Sequence, residues 1–127
     1  MKLAQNALFN KQNLLEIQKK IKKHSPNKEP VEIIAVTKTK TIDAVRAAIK
    51  NNLTVVGENK VQEAEKKFEK QEEVRKKIEL HLIGHLQTNK ANKAVKIFDV
   101  IQTVDSQKIL KKINTAAKKQ NKNQRVF

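Results

Sequence analysis

The residue of this sequence best suited to covalent chemistry is Lys38, which directly follows the mostly apolar run 31–37. A lysine at the end of a buried strand is partly desolvated, and Lys40 places a second cation beside it. Both influences favour the neutral amine, which is the form that attacks an aldehyde to build a Schiff base. Lys38 is one of 25 lysines, however, and a lysine after a strand is ordinarily a solvated loop residue. Its chemistry therefore needs support from other positions.

Asn59 lies in a second polar stretch, residues 57–63, which follows another short apolar run. Its amide can both donate and accept hydrogen bonds, so it suits a polar ring substituent. The alternative is that Glu58 or Asn59 only caps the helix that follows.

His81 lies within a third apolar run, and His85 follows it in a polar segment. A single histidine in a strand is more often a core residue than a ligand. No second His or carboxylate stands at metal-ligand spacing, so we predict no metal site.

Several reaction classes lack the residues that they need. The chain contains no Cys, which excludes disulfides, thiolate metal sites and thiol nucleophiles. It has no Walker-type glycine loop, no Gly-x-Gly-x-x-Gly fingerprint and no Gly-x-Ser-x-Gly elbow, which disfavours nucleotide hydrolysis, dinucleotide redox chemistry and serine hydrolysis. No apolar run approaches the roughly 20 residues of a membrane span, and no apolar leader follows Lys2. We therefore expect a cytoplasmic protein without membrane contact.

An alternation of helices and strands would position these polar residues. Residues 1–23 predict an amphipathic helix, and the proline-containing stretch 24–30 ends it. Residues 31–127 predict successive βα units, with strands at 31–37, 53–56, 80–83 and 100–104, a fifth beginning at 125, and the first strand buried on both faces. The helical stripes between them are Ile42, Val45 and Ile49; Val61, Ala64 and Phe68; Ala91, Ala94, Val95 and Phe98; and Ile109, Leu110 and Ile113, with Thr41 and Ser106 as N-caps.

The positions of the two glycines link this architecture to a site. Short strand–helix alternation predicts a parallel sheet with helical crossovers. Gly57 and Gly84 are both predicted to follow the carboxyl end of a strand, and so is Lys38. Ligands of parallel α/β folds bind at this edge, because the loops converge there. The ends of these three strands therefore predict a single ligand-binding surface.

The net charge of +15 suggests a nucleic-acid partner at first sight. Residues 106–127 hold seven basic residues and no acid, so nearly half of the excess lies in one segment. Only three basic residues are Arg, and the chain has no Tyr or Trp on which bases could stack. We interpret the charge as a solvated basic surface, and we predict no nucleic-acid partner.

Three ordered motifs resemble those of the pyridoxal phosphate homeostasis protein family. They are Ala-Val-Thr-Lys-Thr-Lys at 35–40, Gly-Glu-Asn-Lys-Val-Gln-Glu at 57–63 and His-Leu-Ile-Gly-His-Leu-Gln-Thr-Asn-Lys at 81–90. The resemblance runs over the whole chain and covers the N-terminal part of the family pattern. It implies a partial (β/α)8 TIM-type barrel, similar to the N-terminal domain of alanine racemase, that holds pyridoxal 5'-phosphate as a Schiff base at the carboxyl ends of the strands.

The same resemblance assigns roles to individual residues. Lys38 would be the Schiff-base lysine, Asn59 and His81 would lie against or near the cofactor, and Lys40 would be a neighbouring basic residue involved in cofactor exchange. Members of the family are carriers without an established turnover, which implies PLP-dependent apo-enzymes as partners and no catalytic residues here. Thr41 stands where a proline often follows the family's second lysine, and we expect little effect because Thr is a good N-cap.

The length of the chain departs from the family pattern. The chain has 127 residues, whereas a (β/α)8 barrel needs about 200 or more, and family members are roughly twice as long as this chain. We therefore expect one incomplete barrel domain over residues 1–127, truncated at about the fifth strand and lacking most of the family's phosphate-binding amides. Such a chain would expose a sheet edge open to self-association and would bind the cofactor weakly.

Two other functions are left open by the sequence. A racemase-like PLP enzyme would need a second acid–base residue across the cofactor, and the chain contains no Tyr for that role. A degenerate half-barrel could instead bind RNA through its basic surface. RNA retention that is sensitive to salt and survives Lys38→Ala would favour this last function.

Overall fold

The protein's structure, a computed structural model, describes residues 9–25 and 29–127, in which helices alternate with strands. The helices are α1 (Lys11–His24), α2 (Ile42–Lys50), α3 (Val61–Phe68), α4 (Glu72–Arg75), α5 (Ala91–Ile97) and α6 (Gln107–Lys119), with a 3-10 turn at Thr88–Lys90 before α5. The strands are β1 (Ala35–Val36), β2 (Val55–Glu58), β3 (Glu79–Leu82), β4 (Val100–Ile101) and β5 (Arg125–Val126). Over these two ranges, no helix combines the length and the apolar character that crossing a membrane requires.

The five strands form one parallel sheet in the order β1-β2-β3-β4-β5. One row of register partners crosses all of them, from Val36 through Gly57, His81 and Val100 to Arg125. Helices connect each strand to the next. The predicted parallel α/β architecture with helical crossovers is confirmed. Self-association through a sheet edge stays a prediction.

The two faces of the sheet have different neighbours. Val56, Leu80, Leu82 and Ile101 are buried in the apolar core together with the stripes of the surrounding helices. Burying each such side chain contributes about 1.5–3 kcal/mol. Because side chains alternate along a strand, the register row that contains Gly57 and His81 belongs to the opposite face. We call this opposite face the inner face.

In the described part of the chain, the N-terminal helix spans Lys11–His24. Asn10 caps α1, since its side-chain oxygen accepts a hydrogen bond of 3.0 Å from the Asn13 N–H. Residues 1–8 of the predicted helix and residues 26–28 of the predicted break lie outside the described part of the chain. The helix ends at His24, within one residue of the predicted end.

The prediction of a first strand at 31–37, buried on both faces, is wrong in extent and in burial. Only Ala35–Val36 are strand residues, Val31 is 54% exposed and Val36 is 52% exposed. The reason is the register: β2 begins at Val55, which lies opposite residue 34, so the earlier residues have no strand beside them. At the other end, the Thr37 N–H donates to the Gly57 carbonyl at 3.0 Å and extends the pairing by one residue.

Smaller differences concern glycine, caps and one helix. Gly57 lies inside β2 and does not follow it, because the strand continues to Glu58. Thr41 occupies the N-cap position of α2 without a capping side-chain bond, whereas the Ser106 hydroxyl accepts from the backbone N–H three residues on at 3.2 Å, as predicted. The four-residue helix α4 was not predicted, because it is too short for a helical period to show.

Candidate functional site

Lys38 lies at the carboxyl edge of the sheet, directly after Thr37, the last residue of β1 to pair with β2. Its side chain is exposed, and so is that of Lys40. The prediction that burial partly desolvates Lys38 is therefore wrong, since the strand before it is short and half open to solvent. The edge presents a primary amine that a ligand can reach from solution.

Asn59 follows β2 at the same edge and is half-buried. Gly84 packs against it so closely that a Cβ on Gly84 would lie 2.5 Å from the Asn59 Oδ1 and 2.8 Å from its Cγ. The glycine is therefore required by close approach, and it fixes Asn59 between the ends of β2 and β3. The alternative in which Glu58 or Asn59 caps α3 is not found, because Lys60 occupies the N-cap position.

His81 lies deeper in the sheet than the other two predicted site residues. It is level with Val36 in the register, two residues before Lys38, which corresponds to about 7 Å along the strand. Its side chain is 8% exposed. The Nε2 atom contacts Glu79 Oε1 at 2.7 Å, and the Nδ1 atom contacts Gln102 Nε2 at 2.7 Å. Both ring nitrogens are thus engaged within the chain.

Glu79 connects this histidine to the fifth strand. Its Oε1 lies 3.2 Å from Arg125 Nη1. The hydrogen bond from His81 lowers the pKa of Glu79, burial opposes this effect, and the charge of Arg125 reinforces it. When the Gln102 amide nitrogen donates to Nδ1, the Nε2–H of the ring donates to Glu79, and both ring nitrogens are hydrogen-bonded. His81 is therefore held in one orientation on the inner face.

A buried ion pair lies on the opposite side of the sheet from His81. Glu58 is fully buried, and its Oε1 lies 2.5 Å from Lys67 Nζ. Lys67, 6% exposed, also donates to the Thr37 carbonyl oxygen at 2.7 Å. The Thr37 hydroxyl donates to the same carboxylate oxygen of Glu58 at 2.6 Å. These three residues join the ends of β1 and β2 to α3.

Glu63 adds a further contact from α3 to the loop around Lys38. Its Oε1 accepts a hydrogen bond from the Thr39 backbone N–H and lies 3.7 Å from Lys67 Nζ. Thr39 has a φ of 62°, in the left-handed region that β-branched residues rarely adopt.

Sequence reasoning missed the residues that support the site. It did not identify Lys67, Glu79 or Gln102, and it considered Glu58 only as a possible cap of α3. The i, i+4 spacing of Glu63 and Lys67, and the i, i+2 spacing of Glu79 and His81, were readable signals of contact on a helix face and on a strand face.

Two clefts flank these elements. One of about 390 Å³ opens beside Asn59, between the start of α3 and the loop after β3, and His85 and Lys90 line it. A larger one of about 770 Å³ lies between α2 and α4, and none of its lining residues belongs to the carboxyl edge. The edge that carries Lys38 and Asn59 and this larger cleft are therefore different places.

The donor set at the edge fits a ligand with an aldehyde. An exposed primary amine is the group that an aldehyde requires, and an amide beside it can bind a ring hydroxyl. Among residues 9–25 and 29–127, no three His, Cys, Asp or Glu side chains come together as metal ligands would.

Comparison with known proteins gives consistent matches. The profile of the family "Alanine racemase, N-terminal domain" matches residues 10–127. The pyridoxal phosphate homeostasis protein of Haemophilus influenzae is 40% identical over 106 residues, which cover 80% of this chain and 45% of the relative. That of Pasteurella multocida is 37% identical over 108 residues, covering 81% and 46%. These matches confirm the resemblance inferred from the three motifs.

Solved structures agree with the sequence matches. PipY from Synechococcus elongatus, with PLP bound, superposes with a TM-score of 0.75 at 32% identity, over 87% of this chain and 51% of PipY. An unknown protein from Bifidobacterium adolescentis gives a TM-score of 0.81 at 29% identity, over 91% and 51%. The chain thus spans about half the length of the curated relatives and solved structures that it matches.

Proposed function

Since the chain belongs to the alanine racemase N-terminal domain family, we propose that it binds pyridoxal 5'-phosphate at the carboxyl edge of its sheet and serves PLP homeostasis. Lys38 would hold the aldehyde carbon of the cofactor as a Schiff base. Asn59 would bind a ring substituent, and His81, whose nitrogens are engaged elsewhere, would shape the floor of the site through its ring.

One observation carries the proposal: the exposed amine of Lys38 follows the end of β1 while Asn59 is fixed at the end of the neighbouring β2. Parallel strands bring these ends to a single edge, which is where ligands of such folds bind. PipY, a solved structure similar to this chain, contains PLP.

The proposed role is that of a carrier rather than a catalyst. PLP enzymes that move protons need a second acid–base group across the cofactor, and the chain has no Tyr. The curated relatives are named for homeostasis. PLP-dependent apo-enzymes would be the recipients of the cofactor, and the cytoplasm would be the location.

The test is chemical trapping of the cofactor on the protein. The chain is incubated with PLP, the Schiff base is reduced with borohydride, and the labelled lysine is located by peptide mass spectrometry. We expect the label on Lys38, because its amine lies at the ligand-binding edge. Reduction captures weak and reversible binding as well as tight binding, so high affinity is not required.

Two variants make the result decisive. Lys38→Ala should lose the label, whereas Lys66→Ala, which removes an exposed amine from α3, should keep it. Since the chain has 25 lysines, non-specific labelling is the competing outcome. Label spread over surface lysines, with Lys38 no more reactive than the others, would refute the assignment.

A further inference from the structure

We infer that Glu63 and Lys67, both on α3, are positioning residues that hold the backbone on either side of Lys38 and thereby set the direction of its amine. This inference rests on the proposed function and deepens it. It assigns the control of Lys38 to residues that need not touch the cofactor.

The backbone before Lys38 is held by Lys67. The Thr37 carbonyl accepts from Lys67 Nζ at 2.7 Å and from the Lys40 N–H at 3.1 Å, which closes a tight turn around Lys38. Lys67 is itself fixed by the fully buried Glu58 at 2.5 Å. A side chain that is only 6% exposed and has two hydrogen-bond partners has little freedom to move.

The backbone after Lys38 is held by Glu63. The Thr39 N–H donates to Glu63 Oε1, and Thr39 is kept at a φ of 62°. A β-branched residue persists in this conformation only when its surroundings impose it. The bond to Glu63 is a charge-assisted hydrogen bond that does so.

The arrangement is one that stability alone would not favour. A buried ion pair is often no more stabilising than well-packed apolar residues of similar volume. Here one carboxylate oxygen of Glu58 is also buried without a hydrogen-bond partner. Lys67 of this pair nevertheless bonds to the turn that carries the exposed amine of Lys38. The role that we infer for the buried ion pair is to pre-organise Lys38, because a group already held in its productive direction loses less entropy when it reacts.

The test compares three variants on one helix. Glu63→Ala removes the bond to Thr39. Glu63→Gln keeps an oxygen that can accept it. Glu65→Ala removes a more exposed carboxylate, whose partner is Lys93 at 3.1 Å, and serves as the matched control. Two quantities are measured in the whole chain: hydrogen exchange of the Thr39 amide by NMR without cofactor, and the rate of borohydride-trapped PLP labelling at Lys38.

We expect Glu63→Ala to speed exchange of the Thr39 amide by about tenfold or more, the factor that one charge-assisted hydrogen bond corresponds to. Labelling at Lys38 should slow in parallel. Glu63→Gln should restore most of both quantities, and Glu65→Ala should change neither. Circular dichroism confirms that each variant is folded.

Each other result decides against the inference. Unchanged exchange in Glu63→Ala would show that Glu63 does not hold the loop, and faster exchange with unchanged labelling would show that the held loop does not direct Lys38. If the unsubstituted chain takes no label at Lys38, the proposed function fails. The exchange measurement then decides separately whether Glu63 holds the loop.

Discussion

Replacing Lys67 with methionine should strongly destabilise this protein. The substitution keeps the length and most of the volume of the side chain and removes its charge. Glu58 would then be a buried carboxylate whose only remaining hydrogen bond on Oε1 comes from Thr37. We expect the free energy of unfolding to fall because no cation would compensate the buried charge.

The size of the effect follows from burial. Glu58 and Lys67 have side-chain exposures of 0% and 6%, so solvent screens their interaction little. Removing one partner of such a pair costs about 3–5 kcal/mol. Domains of this size are stable by about 5–15 kcal/mol, so the variant would lose a large share of its stability.

Urea unfolding followed by far-ultraviolet circular dichroism measures this change. Fluorescence is unsuitable, because the chain has no Trp and no Tyr. Lys66→Met is the matched control, since it removes an exposed charge from the neighbouring position of α3. It should alter the free energy of unfolding by less than about 0.5 kcal/mol.

A double variant separates the charge from the packing. Glu58→Leu combined with Lys67→Met removes both charges, so it should be more stable than Lys67→Met alone, although the Thr37 hydroxyl loses its acceptor. The reasoning would be refuted by a loss below about 1 kcal/mol in Lys67→Met. It would also be refuted by a double variant no more stable than the single one.

Three further predictions concern the site and its supports. Gly84→Ala should destabilise by about 1–3 kcal/mol, because its Cβ would collide with Asn59, and a thermal melt unchanged from that of the parent would contradict this. The pKa of Glu79 lies below its ordinary value of 4.5. The stability that its ionised carboxylate contributes is therefore fully present above pH 4.5, and it is lost as the pH falls through the lowered pKa. Glu79→Gln should therefore flatten the acid limb of stability against pH, and an equally steep limb in urea titrations would speak against the bond with His81. Ser106→Ala should cost about 1 kcal/mol in urea unfolding through loss of the α6 cap, and no change would mean that the cap is replaced by water.

The helices could be predicted from the sequence because their period is set by local geometry. Val45, Ala64, Phe68 and Ile113 occupy predicted stripes, and all are buried. The parallel sheet with helical crossovers followed as well, since short strand–helix alternation is typical of it. The sequential order of its strands was implied only by the family resemblance. Features that depend on residues within about one turn of the chain can therefore be predicted from the sequence.

The extent of β1 and the partners of the site could not be predicted, because they depend on distant residues. Residues 31–33 of the predicted first strand have no strand beside them, because β2 starts at Val55, opposite residue 34. Glu58 and Lys67 are nine positions apart, and His81 and Gln102 are 21 apart. A sequence shows that such residues are polar, but it does not show which of them pair by hydrogen bonds or ion pairs. The assignment of Lys38, Asn59 and His81 to a PLP site stays a prediction for trapping to test.

The polar contacts of the inner face have a consequence for how the strands find their alignment. Hydrogen bonds and ion pairs link β5, β3 and the residue after β4 through Arg125, Glu79, His81 and Gln102. A slip of one residue is opposed by hydrophobic burial, because it would turn Leu80 and Leu82 out of the core. A slip of two residues keeps each side chain on its own face, so burial opposes it less, but it would separate His81 Nδ1 from Gln102. The inner-face contacts thus add a check on alignment during folding against slips that burial resists least.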